Sequence, residues 1–330
     1  MRLAVPLEID AASFATWRQG LPVVELDGET MGTTWRVKVT ASPGFGRAAV
    51  TRAIEARLET ILAQMSHWRE DSLLGRFNRA APGTWLTLPP DFALVIDTAL
   101  DLAERSGGAF DPAIGALVNL WGHGPVSVDR PAEQEEIAQA RALSGFHRLA
   151  HDRAAGRLRQ PGGLHLDLSG IAKGHAVDAL VGLLADMGCH HVLVEIGGEL
   201  VGRGLRPDGD PWWVDLETPS RDVAPLRVAL HQLAVATSGD YVRGHHTIDP
   251  RSGEPVRHAM AVSVIHPSAM LADAWATALS VHEPAAMRRL ATREQLAVRA
   301  LTRDGDEVAE WISPTLASLI EPIAQAEPAV

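Results

Sequence analysis

Residues 164–196 read LHLDLSGIAKGHAVDALVGLLADMGCHHVLVEI. Leu164, Leu166 and Leu168 alternate with polar residues, which predicts a strand over 164–168. Ser169-Gly170 supply a small-residue turn, residues 173–187 predict a helix that Gly188 ends, and the apolar run 192–196 predicts a buried strand. Working outward, short strands are expected at 213–216, 226–230, 233–237 and 261–265, and a helix from Ser268 to about Val281. Residues 296–301 and 308–312 flank Asp304-Gly305 and predict a hairpin. Upstream, strands are expected at 23–26 and 35–39 with Asp27-Gly28 as the turn between them. Val50, Ile54, Leu58, Ile61 and Met65 recur at helical spacing, a second helix follows Pro89-Pro90 and stops at Gly107-Gly108, and a charged helix spans 132–143. Strands that follow one another without intervening helices point to an α+β fold, with mixed, largely antiparallel sheets and packed helices, and against a doubly wound one. Residues 1–22 read as a loosely attached lead-in and 23–325 as a single domain.

Composition excludes several classes. The 330 residues are 46% hydrophobic and 22% charged, which is ordinary for a globular chain and too apolar for a disordered one. Cys189 is the single cysteine, so no disulfide forms within the chain. A net charge of −11 argues against a nucleic-acid binder. No run approaches the ~18 apolar residues of a membrane span. The N-terminal MRLAVPLEIDAASFATW carries acids at Glu8 and Asp10 and no long apolar core, so a cytoplasmic protein is expected as the sequence reads, or a periplasmic or membrane-associated one whose signal has been removed.

The common nucleotide and zinc motifs are absent: there is no GxGxxG, Walker loop, HExxH or Cys/His cluster. Four polar segments remain. In residues 166–178 Asp167 sits before a tight turn, and Lys173 with the first helical amides would face an anion; a plain strand-to-helix connection with a serine cap reads equally from the same residues. Asp273 and Thr277 lie four apart on one helix face, a carboxylate and a hydroxyl suited to magnesium with waters and a substrate phosphate, or a buried polar pair in an alanine-rich helix. Residues 236–256 are loop-like yet carry Asp240, Arg243, His245, His246, Asp249 and Arg251; a histidine there would serve as a base near neutral pH, or be a solvated loop residue. Residues 107–124 set Phe110 beside Asp111-Pro112 and include Trp121, which like Trp68 would either stack on a ring or pack in the core.

Taken in order, these segments resemble the ApbE family, the FAD:protein FMN transferases. The likeness runs through Met31-Gly32-Thr33, Met65-Ser66, Asp71-Ser72, Arg76-Phe77-Asn78, Gly108 to Pro112 and Val118 to Gly122. It continues at Asp167-Leu168, Gly170 to Gly174, Ile196-Gly197-Gly198, Ala236 to Tyr241, Ile248-Asp249-Pro250, Gly253-x-Pro255 and Ala272-Asp273-x-x-Ala276-Thr277-Ala278-Leu279, covering about residues 25–285. The resemblance implies a magnesium-dependent enzyme that cleaves the FAD pyrophosphate. It would attach FMN by a phosphoester to a Ser or Thr of an acceptor protein, a subunit of a membrane redox complex, and release AMP. It further implies that Met31, Trp68, Ala109, Phe110, Asp111, Asp167, Lys173 and Ile248 line the FAD site, in one domain or between two lobes. Asp273, Thr277 and the Gly170 carbonyl would hold the metal, and His246 would take the acceptor proton. Where family members often have Tyr, this chain has Trp68, which keeps a stacking ring and drops a hydroxyl. The same residues leave two alternatives: an FAD pyrophosphatase in which water replaces the acceptor, and a non-catalytic FAD-binding assembly factor.

Overall fold

A computed structural model describes residues 1–320 apart from Leu7, Val126, Ser127, Asp129, Val242, Arg243 and Asp306, and for Asp304 the backbone alone. Arg243 of the candidate loop and residues 321–325 of the expected domain therefore lie outside the described residues. An eight-stranded sheet organises the chain. From one edge to the other its strands are Glu307–Ile312, Ala297–Asp304, Ala259–His266, Leu233–Gly239, Glu199–Arg203, Val192–Ile196, Thr33–Thr40 and Val23–Thr30. Every neighbouring pair is antiparallel. Two three-stranded sheets flank it, one of which joins Arg2–Ala4 in parallel to Leu226–Leu230. Among the described residues no helix is long and apolar enough to cross a membrane.

Period-two alternation splits the central strands between two cores. Val192, Val194 and Ile196 face the helices Arg47–Met65, Ala172–Asp186 and Ala269–Val281, while Leu193 between them packs with Trp212, Leu226 and Leu230 on the opposite face. Ala234 and Val235, and Val264 and Ile265, divide in the same way. A strand covered on both faces reads as a continuous apolar run, which is why 192–196 was legible as buried.

Four local expectations are corrected. Asp27-Gly28 is not a turn but lies inside Val23–Thr30; Gly28 pairs with Trp35, and a Cβ on it would stand 2.6 Å from the indole nitrogen. The turn is Met31-Gly32, both at positive φ (49° and 69°), as a two-residue hairpin of the right-handed twist requires. Gly197-Gly198 makes a second such hairpin (φ 59° and 103°), pairing Ile196 with Glu199 and starting a strand the sequence reading had missed. Residues 164–168 form no ladder. Their three leucines are buried, but the backbone is satisfied irregularly: the Asn78 side chain donates to the Leu166 carbonyl and accepts from its amide, and Gly115 N–H donates to the His165 carbonyl. The expected loose lead-in is instead attached at several described points: Arg2 pairs with Glu310 at 2.6 Å, the Asp10 amide donates to His231, and the Trp17 indole donates to the Arg206 carbonyl.

Candidate functional site

Chain direction brings three connections to one end of the main sheet. The Met31-Gly32 turn, the Gly197-Gly198 turn and the segment after Gly239 all emerge there, because Val23–Thr30, Val192–Ile196 and Leu233–Gly239 run the same way. The C-terminal end of Arg47–Met65, the start of Ala172–Asp186 and the middle of Ala269–Val281 meet them and enclose a cleft of about 620 Å³, well within the size of small-molecule sites. All twelve residues singled out from the resemblance line it: Met31, Trp68, Ala109, Phe110, Asp111, Asp167, Gly170, Lys173, His246, Ile248, Asp273 and Thr277.

The helix Ala172–Asp186 begins without a side-chain cap of its own. Its start faces an anion supplied by the protein: the Gly174 amide donates to Asp273 Oδ2 at 3.0 Å. The favour is returned at the other helix, Ala269–Val281. Asp178 accepts from Ser268 Oγ at 2.6 Å and from the Ala269 and Met270 amides at 2.9 and 3.0 Å. Each helix thus caps its neighbour, and the crossing is close enough that a Cβ on Gly174 would stand 2.3 Å from the Ala269 carbonyl oxygen.

One helical turn after Asp273, the Thr277 hydroxyl lies 3.2 Å from Ser238 Oγ, and a Cβ on Gly170 would come within 2.9 Å of Thr277 Oγ1. A carboxylate, two hydroxyls and the backbone around Gly170 therefore converge. Among the described residues no group of three or more His, Cys, Asp or Glu side chains forms a metal cage. A small set of protein donors, all of them oxygens, fits a hard cation that keeps water and phosphate as its remaining ligands.

Glu199 was missed in the sequence. It is 2% exposed, and its Oε1 forms an ion pair with Lys173 Nζ, which stands 4.0 Å from Asp273 Oδ1. Glu199 Oε2 is buried without a hydrogen-bond partner among the described residues. Burial pushes Glu199 up to about 7 against the pull of Lys173, and burial pushes Asp273 up as well. The signal for Glu199 was its phase: two residues before Val201 on one strand, it shares that residue's buried face.

The remaining candidates separate by what their polar atoms do. Asp111 accepts from the Ala113 amide at 2.7 Å and the Phe146 amide at 3.0 Å, and burial raises it to about 6. Asp167 Oδ1 accepts from the Ser169 amide at 2.7 Å, with His67 Nδ1 3.8 Å away. Phe110 is buried against Gly170 as part of the cleft floor, whereas Trp68 is 62% exposed and offers an aromatic face at the mouth, outside the core. Trp121 is not a cleft residue; its indole donates to the Gly253 carbonyl at 2.8 Å and ties down the 249–255 turn. Asp249 and Arg251 pair with each other at 2.8 Å in that turn. His246 Nδ1–H donates to the Gly244 carbonyl at 3.0 Å, which puts the basic lone pair of the neutral ring on Nε2. Its ring meets His123 edge-on, 6.4 Å between centroids.

The ApbE family model matches residues 31–302. The chain belongs to the ApbE family. Curated relatives named FAD:protein FMN transferase include that of Klebsiella pneumoniae, 33% identical over 88% of this chain and 87% of its own length, and that of Vibrio cholerae, 35% identical over 88% and 90%. Among solved structures, the flavinyl transferase ApbE of Pseudomonas stutzeri in its apo form superposes with a TM-score of 0.84 at 36% identity, covering 90% of this chain and 96% of that one. The flavin transferase ApbE of Vibrio cholerae matches with a TM-score of 0.84 at 34% identity, covering 90% and 100%. By this membership the chain is an enzyme, a transferase, on an ApbE-like α+β fold.

Proposed function

We propose that the protein is a magnesium-dependent FAD:protein FMN transferase that joins FMN through a phosphoester to a Ser or Thr of an acceptor protein. The observation that carries this is the convergence of Asp273, Thr277 and Gly170 on one side of a cleft whose mouth carries Trp68 and His246. Asp273, Thr277 and the Gly170 carbonyl would hold the magnesium ion, which when bound neutralises pyrophosphate charge and orients it.

The chain's own groups account for the rest. Lys173 adds positive potential beside the phosphates. Phe110 and Ala109 exclude water from the floor, and Trp68 stacks on a ring of the dinucleotide. Nε2 of His246 takes the proton as the acceptor hydroxyl oxygen bonds to the FMN phosphorus. The pyrophosphate P–O bond on the AMP side of that phosphorus breaks, and AMP leaves with the bridging oxygen. General-base help of this kind is worth roughly 10²–10⁴-fold. The acceptor is a flavin-carrying subunit of a membrane redox complex, and the enzyme works in whichever compartment exposes that subunit.

Chromatography of FAD, FMN and AMP with and without acceptor tests the reaction class. Transfer predicts that AMP appears in step with acceptor modification and little free FMN forms. Stoichiometric FMN and AMP without acceptor would replace the transferase by a pyrophosphatase, and unchanged FAD would leave a binding protein.

A further inference from the structure

Lys173 stands between two buried carboxylates and is committed to one of them. Its Nζ pairs with Glu199 Oε1 and stays 4.0 Å from Asp273 Oδ1, beyond hydrogen-bond reach. Asp273 is already held on its other oxygen by the Gly174 amide. Without Glu199, the half-buried Lys173 ammonium, its side chain 24% exposed, would be drawn toward Asp273 Oδ1, a second carboxylate oxygen only 4.0 Å away. Glu199 is itself fixed: it follows a two-residue turn, its backbone pairs with Ile196, and it is 2% exposed. Its Oε2 is buried without a hydrogen-bond partner among the described residues, so the contact to Lys173 runs through Oε1.

We infer that Glu199 is a positioning residue that holds Lys173 away from Asp273 and so reserves Asp273 for the divalent cation. The inference rests on the assignment of Asp273 as a cation ligand. Glu199 need touch neither cation nor substrate to do this. It acts by giving Lys173 a better partner, leaving Asp273 Oδ1 open to the cleft.

The test uses Mn²⁺ as the probe, with free Mn²⁺ read by electron paramagnetic resonance during titration of the purified protein. Variants are D273N, E199Q, K173M and E199Q/K173M. Wild type should bind Mn²⁺ and D273N should lose it; binding that survives in D273N overturns the ligand assignment and this inference with it. With D273N behaving as expected, E199Q should weaken Mn²⁺ binding about tenfold, and K173M should strengthen binding at least about threefold more in the E199Q background than in wild type, a coupling in the range of residues in direct contact. Equal factors in the two backgrounds would mean simple charge summation and overturn the inference alone, as would unchanged Mn²⁺ affinity in E199Q. A crystal structure of cation-free E199Q gives a readout independent of affinity: Lys173 Nζ should move to about 2.8 Å from Asp273, and an Nζ that remains beside residue 199 overturns the inference.

Discussion

Gly174→Ala is the sharpest test of how the fold sets the site. The added Cβ would meet only backbone: the Ala269 carbonyl oxygen at 2.3 Å, its carbon at 2.6 Å and Met270 Cα at 2.7 Å. Backbone atoms cannot swing aside, so the Ala172–Asp186 and Ala269–Val281 helices must part by about 1 Å to restore van der Waals contact. Overpacking of this kind costs about 1–3 kcal/mol. The separation also strains the 3.0 Å bond from the Gly174 amide to Asp273, a bond to a charged group worth about 1.5–3 kcal/mol. Alanine's better helix propensity returns up to ~1 kcal/mol. The net loss is about 2–4 kcal/mol, or a fall in melting temperature of roughly 3–6 °C for a chain of this size. Gly182→Ala is the matched control: it lies on the same helix with nothing within 4 Å of an added Cβ, so it should be neutral or stabilise by up to ~1 kcal/mol. Scanning calorimetry of both variants decides the matter. A G174A protein that melts with or above G182A would refute the close crossing and the helix-to-helix capping built on it.

Three further outcomes are expected. Asp178→Ala removes three capping bonds from the Ala269–Val281 helix and should cost about 2 kcal/mol in urea unfolding, against no shift if the cap is incidental. Asp111 is raised from 3.8 to about 6, so its contribution to stability is complete below pH 3.8 and is lost as pH rises through 6, by about 3 kcal/mol; D111N should flatten that decline in denaturation measured from pH 4 to 7, and an unchanged slope would contradict the buried carboxylate. His246→Ala should lower kcat by roughly 10²–10⁴-fold while leaving FAD affinity, followed by flavin fluorescence, within about threefold. A variant that loses FAD binding instead would make His246 a binding residue.

Particular residues show where the sequence was transparent. Val192–Ile196 was found in place because a mostly apolar run rich in β-branched residues, packed against a core on each face, has few other destinations. The turns were harder. Met31 carries positive φ in the first hairpin, a conformation rarely taken by a residue with a Cβ, whereas Asp27-Gly28 carries the usual turn signature for an unrelated reason, the Trp35 ring lying over Gly28. Leu164, Leu166 and Leu168 alternate like a strand, yet the Gln160 side chain bonds Leu164, the Asn78 side chain bonds Leu166, and the Ala172 amide at a helix start donates to Leu168, a set of partners that the alternation does not encode. Asp273 and Thr277 were legible because four residues apart means one helix face. Glu199 was not, since its partner Lys173 comes from another element and only the fold brings the two together. Likewise, a single segment could not show that Asp111 spends its second oxygen on the Phe146 amide, 35 residues further on.

The central claim is that one cleft transfers FMN to protein through groups anchored by Asp273. Intact-mass spectrometry tests it most directly, on a purified flavin-accepting redox subunit incubated with the enzyme, FAD and Mg²⁺. A gain of one FMN less water on the acceptor, abolished in Asp273→Ala and by chelation, is the predicted result. An acceptor modified equally well by Asp273→Ala, or unmodified while FAD is consumed to FMN and AMP, would contradict it.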